Sequence, residues 1–190
     1  MYKDKIIQRI QKNKHSLRPL PENPPKMEDK IDLSAKFCEN LKLVGADVFR
    51  IDDESLVSHF IDSHFPNAVD FSDPETWKEY SSTDPIDKFN KLNTVILKGQ
   101  FGVAENGAVW LDDTFFPQRI VPFIAQHLVI ILSKKNLVGG MVEAYRKLNL
   151  TKTGFGVFIS GPSKTADIEQ VLVFGAHGPL THTVLLINKD

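Results

Sequence analysis

The apolar positions of this chain fall into two periodicities. At the start, Ile6, Ile7 and Ile10 lie on one side of a helix over residues 2–14 otherwise covered by Lys3, Lys5, Arg9, Lys12 and Lys14, an amphipathic arm with a narrow apolar stripe. The following RPLPENPPK holds Pro19, Pro21, Pro24 and Pro25, which excludes a helix and predicts an extended spacer. The chain therefore divides into an arm and spacer over residues 1–26 and a domain over 27–190. The arm docks either on a second copy or its own domain, or on a membrane surface; its stripe lacks the aromatic residues of membrane-surface helices, which favours the protein partner and makes a homodimer one reading.

Beyond the spacer the pattern alternates between helix and strand. A helix is predicted over residues 32–44, a strand over ADVFRI, and a second helix opened by Asp52 or Asp53 and closed before Pro66. Between 67 and 91, Asp73–Pro74 and Asp84–Pro85 mark the starts of short helices or turns. TVILKGQFGVAE, AVWLDD, HLVIIL, GFGVFISG and HTVLLIN read as strands, and residues 136–148 as a helix. LVIIL, GVFIS and TVLLI do not alternate with polar residues, as expected of strands covered on both faces. A central sheet with helices on each side is the predicted architecture.

Composition adds exclusions. The 190 residues are 42% hydrophobic and 25% charged, sufficient for one domain with a sizeable core. The 23 Lys and Arg nearly cancel the 24 Asp and Glu, leaving a net charge of −1, so no global field draws nucleic acid or an anionic membrane. No apolar run spans a bilayer, and MYKDKIIQRIQKNK is too polar for a signal peptide, which predicts a cytoplasmic protein. The single cysteine, Cys38, excludes an internal disulfide and cannot supply the thiolates of an iron–sulfur cluster.

Three stretches carry candidate chemistry. In GVFISGPSKTADIE a strand ends at Gly161–Pro162, and Ser163, Lys164 and Thr165 stand where a new helix or turn begins. There they either cap that helix or cradle a phosphate or carboxylate. The run is not a P-loop, because Ser163 occupies the place of the glycine before the lysine. His177, in GAHGP, is either a structural histidine holding a turn or an acid, base or ligand. In GVAENGAVWL, Asn106–Gly107 signals a two-residue hairpin turn, while Glu105 places a carboxylate in a segment expected to be mostly buried, where it needs a partner or a proton. Asp167, Glu169, His177 and His182 show none of the metal-ligand spacings, so no metal is predicted.

Taken together, GPSKTADIE, GAHGP and AENGAVWL closely resemble the lactate-utilization (LUD) domain family, in particular its short members called lactate utilization protein C. That family shows Gly-Pro-Ser-(Arg/Lys)-Thr-Ala-Asp-Ile-Glu, then Gly-x-His-Gly-Pro, with an Ala-Glu-Thr-Gly-Thr-like segment upstream. Arg119 and His127, in RIVPFIAQHLVII, also look like its Arg…Pro…His–strand pattern, and the likeness covers most of residues 31–188. Asn106, Gly107 and Ala108 depart from it, replacing two hydroxyl-bearing residues.

The resemblance implies a three-layer α/β/α open sheet similar to the ribose-5-phosphate isomerase and CoA-transferase superfamily, with ligands at the carboxyl ends of strands. It makes Glu105 and His177 the candidate catalytic residues. Asn106, Gly161, Ser163, Lys164, Thr165 and Asp167 become candidates for binding a small anionic ligand in one crevice. The implied role is an accessory or ligand-binding subunit of a multi-protein system oxidising L-lactate to pyruvate, with iron–sulfur proteins as partners. An independent enzyme acting through Glu105 on a phosphorylated or CoA-linked molecule, and a non-catalytic interaction module, are the alternatives. The residues identify no cofactor.

Overall fold

The computed structural model describes residues 2–13, 32–148, 154–166 and 172–189, with the backbone alone for Trp77, Ala166, Leu172 and Phe174. The spacer prolines, Asp167 and Glu169 lie outside the described residues.

The amino-terminal helix α1 (Tyr2–Lys12) buries none of its residues, and Ile6, Ile7 and Ile10 are all exposed. Helix α2 (Leu33–Leu43) begins where Asp32 accepts hydrogen bonds from the Ser34 and Ala35 amides, as an N-cap carboxylate does. Those bonds, that from Ala35 foremost, hold the Asp32 carboxyl below its ordinary pKa. Strand β1 (Asp47–Asp53) ends in a 3-10 turn capped by Asp53, which leads into α3 (Val57–His64). Then come β2 (Val69–Asp70), α4 (Thr76–Glu79), α5 (Ile86–Phe89), β3 (Thr94–Lys98), β4 (Phe101–Val103), β5 (Ala108–Asp112), α6 (Val121–Ile124) and β6 (His127–Ser133). The remainder is β7 (Leu137–Val138), α7 (Met141–Lys147), β8 (Gly156–Ile159), β9 (Lys164–Ala166), β10 (Leu172–Phe174) and β11 (Thr181–Lys189).

Five strands form a wholly parallel sheet in the order β1-β11-β6-β3-β2. Its central strands are apolar on both faces because both are covered. Leu128, Ile130, Leu132, Val184 and Leu186 join one core with Phe37 and Leu41 of α2. Val129, Ile131, Leu185 and Ile187 join another with Val57 and Ile61 of α3. Each such side chain withdrawn from water contributes about 1.5–3 kcal/mol, and this explains runs such as LVIIL that show no alternation.

A second sheet, ordered β7-β4-β5-β8, packs beside α2. Val109 and Leu111 point into the α2 core, while Ala108 and Trp110 point outward to a third cluster with Ala144 of α7. Helices thus flank the parallel sheet on both sides, and a second sheet shares one of those sides.

Four local expectations change. TVILKGQFGVAE is two strands rather than one, β3 in the parallel sheet and β4 in the second. The predicted helix over 136–148 survives only as α7, because Leu137 and Val138 pair in parallel with Gly102 and Val103 of β4. Gly139 and Gly140, poor helix formers, separate the two elements. The turn after β4 is longer than two residues: Val103 pairs with Ala108, and the Gly107 amide donates to the Val103 carbonyl at 2.9 Å. Directly after Pro162 the described chain is not helical. Lys164–Ala166 is instead a strand paired antiparallel with Leu172–Phe174.

Candidate functional site

The Glu105–Asn106 turn closes at the end of β4, and the chain after β8 meets it there. Val109 pairs with Ile159, so Ser160 falls beside the turn and its Oγ donates to the Asn106 carbonyl at 2.7 Å. Asn40 of α2 supports the turn from the other side, its Nδ2 donating to the carbonyls of Ala104 (2.7 Å) and Glu105 (2.9 Å). Gly107 completes it with φ 69°, where a Cβ would lie 2.9 Å from the Leu41 amide. Asn106 Oδ1 accepts from Ala108 N–H at 3.0 Å, an Asx turn.

The Glu105 side chain is exposed rather than buried. Its Oε2 accepts the Met141 amide at 2.8 Å, and a Cβ on Gly140 would sit 2.9 Å from that oxygen. The turn, the Gly139–Gly140 corner and the first amide of α7 are therefore tied together by a carboxylate, which answers the need for a partner without burial.

Gly161 lies against the carboxyl end of α2. Its φ of 78° is left-handed, and a Cβ there would come within 2.7 Å of the Val44 carbonyl oxygen, so only glycine fits without displacement. Its amide donates to Nδ1 of His182 at 3.1 Å. Lys164 reaches the same helix end, its Nζ donating to the Val44 carbonyl, as a cation at a helix carboxyl terminus does.

Ser163 is clasped by the GAHGP run. Its amide donates to Pro179 O at 2.8 Å, its carbonyl accepts from Gly175 N–H at 3.1 Å, and a Cβ on Gly178 would lie 3.2 Å from the Ser163 Cβ. The two runs are thus neighbouring parts of one ribbon. Free helix-terminal amides, the basis for an anion cradle at Ser163–Thr165, are replaced by strand pairing: Thr165, exposed, lies opposite Val173. Asp167 is outside the described residues.

His177 is exposed at the apex of the same loop, on the wall of a cleft of about 470 Å³. Gln126 lies across from it. Its carbonyl accepts from both Leu180 (2.7 Å) and Thr181 (3.2 Å), which seats the loop at the amino end of β11. Nearby, His127 Nδ1 and Thr181 Oγ1 are 2.7 Å apart. Arg119 pairs with Asp113 at 3.3 Å and lies 5.6 Å over the Phe155 ring.

The candidate residues do not all stand at the carboxyl ends of strands. Glu105 and Ser160 follow β4 and β8, but the Ser163 and His177 loops lie at the amino ends of β6 and β11 in the parallel sheet. The Glu105 carboxylate is bonded at α7 and the Lys164 amine at α2, so the structure brings their backbones near through Ser160 without joining the two charged groups.

Three residues of this region carry little signal in the sequence. Asn40 and Gly140 carry no motif and gain meaning only from contacts distant in sequence. His182, considered only as a metal ligand, is 1% exposed, and burial lowers its pKa from 6.5 to about 4. Its position two residues before Val184 on an alternating strand was the available signal, since both side chains then share the α2 face.

The LUD domain model matches residues 77–187, more than half of the 190-residue chain, and the chain belongs to the LUD domain family. A protein of Shouchella clausii called lactate utilization protein C is 32% identical over 118 residues, covering 59% of this chain and 51% of that protein. One of the same name from Bacillus pumilus is 33% identical over 101 residues, covering 50% of this chain and 42% of that protein. The chain thus spans about half the length of these curated relatives. A crystal structure of a DUF162 family protein from Deinococcus radiodurans superposes with a TM-score of 0.61 at 13% identity, covering 83% of this chain and 97% of that one. At that identity the likeness concerns the fold.

Proposed function

We propose that this chain is an accessory component of a lactate utilization system, working beside iron–sulfur proteins that carry the electron transfer. The observation that carries this reading is the likeness to proteins named lactate utilization protein C, together with the LUD domain match over residues 77–187, which hold Glu105, Ser163, Lys164 and His177. The one cysteine, Cys38, is buried, in keeping with a component that leaves cluster chemistry to others. Within this reading, residues 1–26 are an arm that meets a partner, and 27–190 form the LUD domain.

Glu105 holds the α7 corner, Asn106 holds the turn beside it, and His177 presents an exposed imidazole. Deleting the gene and supplying L-lactate as the sole carbon source tests the role. Growth is expected to fail and to return with the intact gene, and a Cys-rich iron–sulfur protein is expected to co-purify with the tagged chain. Unimpaired growth on lactate overturns the assignment.

A further inference from the structure

The cleft beside His177 has a composition that nothing above explains. Its floor is apolar, formed by Ile120, Phe123 and Ile124, with Leu180 at the side; Phe123 and Leu180 remain 37% and 42% exposed. Its polar wall holds Gln126 and His177, and neither side chain has a hydrogen-bond partner among the described residues. Among the described residues no lysine or arginine lines it. The two cations that flank the region are occupied, Arg119 with Asp113 and Lys164 with the Val44 carbonyl. An anion entering this cleft would meet no unpaired lysine or arginine among the described residues.

We propose that the cleft binds an uncharged, flat heteroaromatic ring, with Phe123 as the stacking platform and Gln126 and His177 bonding to the ring's polar edge. The volume of about 470 Å³ lies in the range of small-molecule sites. An apolar floor with a few convergent polar groups is how such sites fix orientation. A Gln amide offers a donor and an acceptor side by side, matching the alternating edge of a heteroaromatic ring, and an imidazole adds one more of either kind.

The parts are also held in advance of any ligand. Phe123 meets Phe155 edge-on, with ring centres 6.5 Å apart and planes at 80°. The loop carrying His177 is fixed at both stems, through Gly175 N–H to Ser163 and Leu180 N–H to Gln126. Preorganisation of this kind reduces the ordering cost of binding. The ring site does not depend on the lactate role, and its test uses purified protein alone.

The full chain is titrated with riboflavin, followed by its fluorescence, and with adenosine, followed by calorimetry; inorganic phosphate and L-lactate serve as anionic probes. At least one ring compound is expected to bind saturably with Kd below about 100 μM. Phe123→Leu, which keeps an apolar side chain but removes the ring, and His177→Ala, at an exposed loop position, are each expected to weaken binding about tenfold or more. Should Phe123→Leu not fold, His177→Ala gives an independent reading, with an unchanged melting curve as its control. Failure of both ring compounds to saturate up to about 1 mM overturns the site. So does parental affinity in the folded variants, or binding of phosphate or lactate in place of the rings.

Discussion

The amide of Gly161 donates to Nδ1 of His182 across 3.1 Å, so that nitrogen is the acceptor and the ring proton resides on Nε2. The Nε2 atom is itself buried and without a partner among the described residues. Protonating the ring would place a hydrogen on Nδ1 facing the Gly161 hydrogen, and would leave a charge in an apolar setting.

Stability is therefore expected to depend on pH through this residue. Burial lowers the folded pKa from 6.5 to about 4. Above pH 6.5 neither state binds a proton here and the full stability is present. Between 6.5 and about 4 only the unfolded chain takes one up, so stability falls by about 3 kcal/mol in all; below about 4 both states bind it and the contribution is flat. Urea unfolding at pH 7 and pH 5 is expected to show the loss, and His182→Phe to remove most of the pH dependence in that window. An identical pH profile in the variant would falsify the role of His182.

Gly161→Ala combines a left-handed φ with a Cβ 2.7 Å from the Val44 carbonyl. A loss of about 2 kcal/mol or more is expected, measured as a lowered urea midpoint with little change in slope. A cost within 0.5 kcal/mol would show that the α2 end and the loop move apart easily.

Lys164→Met removes the donor to the Val44 carbonyl while keeping the apolar stem. Because the side chain is exposed, the expected loss is only about 0.3–1 kcal/mol. High salt reduces an electrostatic contribution of this kind, so the difference between parent and variant should shrink in salt; a salt-independent gap points to packing instead.

Glu105→Gln keeps an oxygen for the Met141 amide, now bonded at 2.8 Å, whereas Glu105→Leu leaves that amide without it. The first is expected to unfold within about 0.5 kcal/mol of the parent and the second about 1 kcal/mol earlier. Amide hydrogen exchange at Met141 separates the cases: protection is retained in Gln and lost in Leu. Equal protection in both would mean that the carboxylate is incidental to the corner.

Much of the parallel sheet was legible because its signals are local and repeated. Asp32 caps α2 and Asp53 caps the turn before α3, and the apolar runs of β3, β6 and β11 require cover on both faces. The ribbon of β9 and β10 was not legible. Ser and Thr after Gly-Pro suit a helix start as well as a turn, and the choice is made by Ser163 pairing with Gly175 and Pro179. Residues 137 and 138 likewise carry helical spacing until β4 supplies a partner. The candidate site was legible as residue types but not as contacts: Asn40 binds the Glu105 turn from a helix 65 positions away, and no short motif encodes such a distance.

The order β1-β11-β6-β3-β2 also bears on synthesis. The last described strand is inserted between the first and the middle of the sheet, and the bond from Asn188 to Asp52 spans 136 positions. During translation β1 leaves the ribosome with its one sheet neighbour among the described residues still unmade, and β3 and β6 can pair long before it can join them. Closing such distant pairs is slow, and an unpaired edge is exposed to association with other chains in the interval. A chain truncated ahead of Thr181 would leave β1 a lone strand with nothing to join it to the unfinished β6-β3-β2 sheet, material for degradation rather than a weakened protein.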